Sequence, residues 1–261
     1  MNEEYSLMSE AVKQSKDVLG KAYDDLIHPT AQPVGNIISL LPRTINICLG
    51  KWQKWIINGE ESIRLTAEAV REKAAKIPEE KLTEPEPYVA IPAIQQLSYC
   101  YDSEELREMY TNLLVASMNT DTKYQVHPSF VNIIKQLTPD EAKLLSYLAK
   151  APIQPLLSVR HILNANGEYV ELVRHFTCIS EQMCENPNGI YSYLDNLQRL
   201  GIITIMENLA IKSDELYKPL EEHALIKGYL KTPVKENERI IIVRQKFMVT
   251  MFGKDFIRIC M

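Results

Sequence analysis

Apolar residues recur three and four positions apart at Tyr5, Met8, Val12, Leu19, Ala22 and Leu26, with Ser15 as a polar interruption. The same spacing returns at Val34, Ile38, Leu41, Ile45, Cys48, Trp52 and Trp55, and again at Ile63, Ala67, Val70, Ala74 and Ile77. A stripe of this period is one face of a helix, and three such stripes with short connections predict a bundle. Proline sets the breaks. His28-Pro29 ends the first helix and Pro78 the third, because the residue before proline is pushed out of the helical region. Pro42 should kink the second.

Glu79 to Pro92, EEKLTEPEPYVAIP, alternates Glu and Pro and is read as extended across the surface. Helical spacing resumes at Leu106, Met109, Tyr110, Leu113 and Leu114, with Asp102 and Glu105 at capping-box spacing. Two starts then follow closely in HPSFVNIIKQLTPDEAKLL. Pro128 suits the first position of a short helix carrying Phe130, Ile133, Ile134 and Leu137. Thr138-Pro139-Asp140-Glu141 offers a cap, a proline at the first helical position, and acids near the positive end of the dipole.

Beyond Lys150 the texture changes. Leu156–Leu163 and Tyr169–Ile179 are rich in β-branched and aromatic residues, and Asn166-Gly167 between them predicts a hairpin. Tyr193, Leu194, Leu197 and Leu200 predict a helix that stops at Gly201 before a short strand over 202–205. Residues 213–230 read as helical, 239–250 as a strand and the last eleven as a helix. The expected class is α+β, mainly α, with a helical bundle over 1–137 and an α+β unit over 138–261.

The chain of 261 residues is 46% hydrophobic and 24% charged, as soluble globular proteins are. Its five scattered cysteines and acidic, amphipathic start fit a reducing cytoplasm and no export signal. Lys and Arg number 29 against 34 Asp and Glu, for a net charge of −5. Neither half has the broad positive excess of a protein held mainly by phosphate contacts.

Chemistry is sparse. No nucleophile elbow or phosphate-binding glycine loop is present, so no catalytic residue, cofactor or metal is assigned and the chain is read as a non-enzyme. His161, His175, Cys178 and Cys184 were the grouping to test for zinc, yet lack a second paired motif. They are read as ordinary sheet histidines and buried thiols. His127 has no evident Ser, Cys or acid partner, and is read as a helix-start residue whose ring caps a backbone group. A membrane span over 30–57 is interrupted by Arg43, although Trp52 and Trp55 beside Lys51 and Lys54 have interfacial character. Those four residues are candidate membrane or partner contacts, with the membrane engaged only on activation.

The order of LTPDEAKLLSYLAK, YSYLDNLQRLGIITI and RIIIVRQKFMVTMFGKDFI resembles a winged-helix unit, extended by a β-hairpin and a helical insertion. Asp195 and the single cation Arg199 on the would-be recognition helix argue against groove reading, while Asn196 and Gln198 keep it open. Arg199, Arg244 and Lys246 are the candidate nucleic-acid contacts, with Arg239 also on the wing strand.

KAYDDLIHPTAQPVGNIISLLPRTIN, AIPAIQQLSYCYDSEELREMYTNLLVASMN, HPSFVNIIKQLTPDEAKLL, YLDNLQRLGII and TMFGKDFIRIC together resemble the bacterial abortive-infection alpha family. That resemblance implies a cytoplasmic antiphage defence protein, in which infected cells stop growing or die before phage mature. It brings no catalytic motif. The expected function is binding or sensing a phage or host protein. The alternatives are a membrane-damaging effector using 34–57 and a nucleic-acid-binding winged helix. Homo-oligomerisation stays open, because seam spacing serves an internal bundle and a homodimer alike.

Overall fold

The computed structural model describes residues 59–261 apart from 98, 101 and 102. The helices expected over 5–26 and 34–57 lie outside the described residues. The chain divides into two compact units, residues up to Leu137 with Ile259–Met261, and Thr138–Arg258.

In the first unit, α1 (Gly59–Ala74) buries Ala67, Val70 and Ala74. Of the stretch expected to be extended, Glu79–Lys81 forms a 3-10 turn, 82–86 are non-helical, and only its end enters α2 (Pro87–Leu97), with Pro92 inside it. Val89, Ala90, Ala93, Ile94 and Leu97 are buried at helical spacing. Removing that apolar face from water outweighs the hydrogen bond Pro92 cannot make. Helix α3 (Glu104–Ser117) is capped by Ser103, whose Oγ accepts the Leu106 N–H at 3.3 Å; Asp102, the expected cap, lies outside the described residues. Its Met109, Tyr110, Leu113 and Leu114 are buried. In α4 (Ser129–Lys135), Pro128 stands one position before the helix rather than inside it. His127 Nδ1 accepts the Ser129 N–H at 3.1 Å and lies 2.6 Å from Ser129 Oγ. The ring does cap a backbone group, and Ser129 is a hydroxyl partner the sequence reading passed over.

The second unit opens with α5 (Pro139–Lys150). Thr138 Oγ1 accepts the Glu141 N–H, and Glu141 reaches back to the Thr138 N–H at 2.6 Å, closing a full capping box. Strands β1 (Ile153–Ile162) and β2 (Tyr169–Phe176) form the expected hairpin. Asn164 Oδ1 accepts the Asn166 and Glu168 N–H groups, and Gly167 takes φ +84°, which a side chain would resist. Helix α6 (Ile190–Arg199) ends at Gly201, φ +74°, ahead of β3 (Ile203–Met206). The insertion is split into α7 (Lys218–Glu222) and α8 (Ala224–Leu230), because extended His223 interrupts it and caps Leu225 N–H with Nδ1. Strand β4 (Arg239–Val249) and α9 (Met251–Cys260) follow.

The sheet is antiparallel throughout, in the order β2-β1-β4-β3. Strand β1 pairs with β4 along its whole length, from Ile153 opposite Met248 to Ile162 opposite Arg239. Gln154 to Val159 are all buried, so mid-sheet β1 is covered on both faces. On one face Leu157, Val159, Val173 and Phe176 pack against Leu220 and Ile226 of the insertion. The described chain is thus α+β and mainly helical, with one four-stranded sheet in the second unit.

Candidate functional site

The least regular place in the second unit is where β2 leaves β1. Leu157 faces Phe176, Val159 faces Val173 and Arg160 faces Glu171, so β2 carries extra residues in two successive steps. His175 sits in the wider step at φ +52°, a left-handed conformation that costs a residue with a Cβ. It is buried, and its backbone N–H donates to Ser158 Oγ at 3.3 Å. Ser158, also buried, donates onward to Gln245 Oε1 at 3.1 Å. Among the described residues, Gln245 Nε2 and Thr177 Oγ1 have no hydrogen-bond partner and both are buried. A polar chain therefore crosses β2, β1 and β4 inside the core.

The His175 ring turns to Glu207, with Nε2 3.3 Å from Oε1, and Arg174 reaches the same carboxylate at 3.5 Å. Burial, then Arg174, holds the imidazole pKa below its usual range, with Glu207 opposing in part. The neutral ring must carry its proton on Nε2 to donate to Glu207. Ser158 touches the His175 backbone and gives its proton to Gln245, so this His–Ser contact is not that of a base with a nucleophile. It orients the bulge.

A second cluster ties the insertion to the sheet. Arg244 Nε donates to Glu221 at 2.6 Å, Nη1 bonds Asp214, and the guanidinium lies 5.0 Å from the centre of the Tyr217 ring. The hydrogen bonds to Glu221 and Asp214 hold the arginine pKa above its ordinary value. Tyr217 is fully buried, donates to the Gln245 carbonyl at 2.7 Å and accepts the Ile211 N–H. Arg244 is therefore occupied by two carboxylates. Lys246 lies two residues along β4, half-buried, opposite Pro155 and Met206 in the ladder.

The helix expected to read bases spends its polar side chains within the fold. Asn196 Nδ2 donates to Glu141 at 2.7 Å, Gln198 Oε1 accepts the Ile205 N–H at 3.2 Å, and Arg199 Nη2 donates to Asn196 Oδ1 at 2.5 Å. Nearby, buried Asp140 accepts the N–H groups of Glu185 and Asn186 at 2.8 and 2.9 Å and the Tyr193 hydroxyl at 3.0 Å. Burial raises the carboxyl pKa, but these three donors and Lys143 outweigh it and the net direction is down. Asp140 and Glu141 thus start α5 and fasten α6 to it.

His161 Nε2 is 2.9 Å from Glu238, while His175 pairs with Glu207, so the two histidines turn to different carboxylates. Among the described residues no three His, Cys, Asp or Glu gather as metal ligands. Burial, then Glu181, pushes the Cys178 thiol up to about 11; burial, then Asp140, does the same for Cys184 against the pull of Lys143. Lys51, Trp52, Lys54 and Trp55 lie outside the described residues, and no described helix is long and apolar enough to cross a membrane.

Four helices with side-chain caps, a four-stranded antiparallel sheet and a buried polar chain used for orientation define a helix-rich α+β protein. The chain belongs to the abortive infection alpha family, whose model matches residues 58–260. The 21–46 segment used in the resemblance lies before that span. No curated protein matches the chain. Among solved structures it is similar to an uncharacterized protein from the hydrocarbon-degrading marine bacterium Alcanivorax borkumensis SK2, at 16% identity and a TM-score of 0.32, over 54% of this chain and 94% of that one.

Proposed function

We propose that this protein acts in abortive-infection defence in the cytoplasm, as a non-enzymatic module that binds a phage or host protein through its winged-helix-like second unit. The family supplies the defence context. The observation that carries the binding reading is the helical insertion, where Leu216, Leu225 and Leu230 are exposed. Large apolar side chains kept in water on one added element fit a surface that a partner covers. Arg244, Glu221 and Asp214 hold that element against the sheet, so it meets a partner with little ordering cost. Groove reading draws less support, because Asn196, Gln198 and Arg199 already make hydrogen bonds within α6 and to its neighbours.

The test is a pull-down from phage-infected and uninfected cells with the wild-type chain and a Leu225→Glu, Leu230→Glu variant. A protein recovered with the wild type and lost with the folded variant is the expected result. Equal recovery with both, or degradation of nucleic acid, nucleotide or lipid by purified protein that one polar substitution abolishes, sinks the reading.

A further inference from the structure

Strand β2 is an outer strand of the sheet, and among the described residues its edge away from β1 pairs with no other strand from the hairpin turn onward. The Leu163 N–H donates to the Glu168 carbonyl at 2.8 Å, which makes that facing pair a hydrogen-bonded one. Bonded and non-bonded pairs alternate in an antiparallel ladder. Tyr169 opposite Ile162 and Glu171 opposite Arg160 are then non-bonded pairs, whose N–H and C=O groups point away from β1. Exposure agrees. Glu171 is exposed overall although its side chain, bonded to Arg160 at 3.4 Å, is only 29% accessible, so its backbone is open. Tyr169 and Val170 are 49% and 50% exposed.

The opposite edge is protected. Strand β3 is short, and Gln198 accepts the Ile205 N–H. The bulges of β2 lie beyond Glu171, and over Tyr169–Glu171 the strand is regular and carries no proline or lysine to blunt its edge.

We infer that this edge pairs with the same edge of a second copy of the chain, antiparallel about a two-fold axis at Val170, joining two four-stranded sheets into one. The outward amides select the register. An axis at Glu171 would oppose two carboxylates, which is unfavourable across a ladder. An axis at Tyr169 would set Glu171 against Gly167, beyond the partner's strand. The Val170 axis sets Tyr169 of each copy across from Glu171 of the other, in two bonded pairs sharing four backbone hydrogen bonds. Side chains agree with this choice. Each Glu171 carboxylate then lies between its own Arg160 and the other copy's tyrosine, while Val170 meets Val170 on the opposite face. The Arg160 guanidinium, 4.4 Å from the centre of the Tyr169 ring, already holds that ring at the edge. No like charges face one another. The pairing is independent of whatever protein is bound during infection.

The register gives a direct test in the full-length protein. Opposed residues of a non-bonded pair have Cα atoms about 4.5 Å apart, within disulfide reach. Val170→Cys should therefore cross-link to itself under oxidised glutathione, with the 170–170 linkage found by mass spectrometry, whereas Tyr169→Cys should not. Sedimentation of the wild type should give a reversible monomer–dimer equilibrium. Val170→Lys opposes two cations, and Glu171→Pro removes an outward N–H without touching the β1 ladder; each should weaken association roughly tenfold or more. Circular dichroism confirms that the variants fold. A wild type monomeric up to about 1 mM, a dimer indifferent to both variants, or equal cross-linking at 169 and 170 overturns the inference. So does a monomer whose β2 edge captures a different protein.

Discussion

Asp140→Asn should destabilise the second unit more than its single-atom change suggests. The carboxylate takes the Glu185 N–H on Oδ1 and the Asn186 N–H and Tyr193 hydroxyl on Oδ2. An amide has one oxygen. Turned to keep Asn186 and Tyr193, it presents its NH2 to the Glu185 N–H, donor against donor; turned the other way it opposes the Asn186 N–H, while the Tyr193 hydroxyl turns to donate to the Asn186 carbonyl and accept from the amide. A hydrogen bond to a charged group is worth about 1.5–3 kcal/mol and a neutral one about 1 kcal/mol. Losing one and weakening two, less the relief of no longer burying a charge, amounts to about 2–4 kcal/mol. With a urea slope of about 2 kcal/mol/M, the midpoint should fall by about 1–2 M. Far-UV circular dichroism gives the midpoint, and hydrogen exchange at α5 and α6 locates the loss.

The pH dependence follows from the direction of the shift. The folded carboxyl pKa is lowered, so its contribution is complete above the ordinary carboxylate value of about 4 and is lost as pH falls through the folded value. The difference between wild type and Asp140→Asn should be full at pH 7 and shrink below about pH 4. Lys143→Ala, which removes pairs with Asp140 at 3.8 Å and with exposed Glu185 at 2.8 Å, should cost about 1 kcal/mol or less. A midpoint for Asp140→Asn within about 0.2 M of wild type, a shift of under about 0.5 kcal/mol, would refute the joint.

Gly253→Ala should destabilise by about 3 kcal/mol or more in thermal melts, because a Cβ there would lie 2.1 Å from the Ile202 carbonyl oxygen; an unchanged melt would contradict that packing. At the β2 bulge, His175→Gly and His175→Ala lose the same bond to Glu207, yet glycine should be the more stable by about 0.5–1 kcal/mol. The left-handed φ penalises alanine by more than glycine loses in unfolded-state freedom, and the reverse order would remove the strain argument. Cys178 and Cys184 should alkylate slowly at pH 7.5 and faster only as pH approaches about 11; rapid labelling of the folded protein near neutrality would be the contrary result.

What could be read from the chain was local. Thr138-Pro139-Asp140-Glu141, Asn166-Gly167 and Gly201 each carry their own geometric reason, and the structure puts a cap, a turn and a stop there. The Glu-Pro run misled because proline was weighed as a breaker, while the face that overrides it, Val89 to Leu97, acts through burial. Splitting of the insertion at His223 and capping by Ser103 were smaller versions of the same difficulty. The bulge at His175 exists only because β1 and β2 pair out of step, and a residue type does not announce that. Asp140 was legible as a helix-start acid, but its three donors lie 45 to 53 residues away. Arg244 read as a free wing cation because Asp214 and Glu221 are distant in sequence and adjacent in space.

The binding claim is tested most directly by phage plating on cells that express either the wild-type chain or the folded Leu225→Glu, Leu230→Glu variant. The account predicts that the wild type lowers plaque yield and that the variant, present at equal abundance, restores it to the level of cells lacking the protein. Undiminished protection by the variant would contradict it.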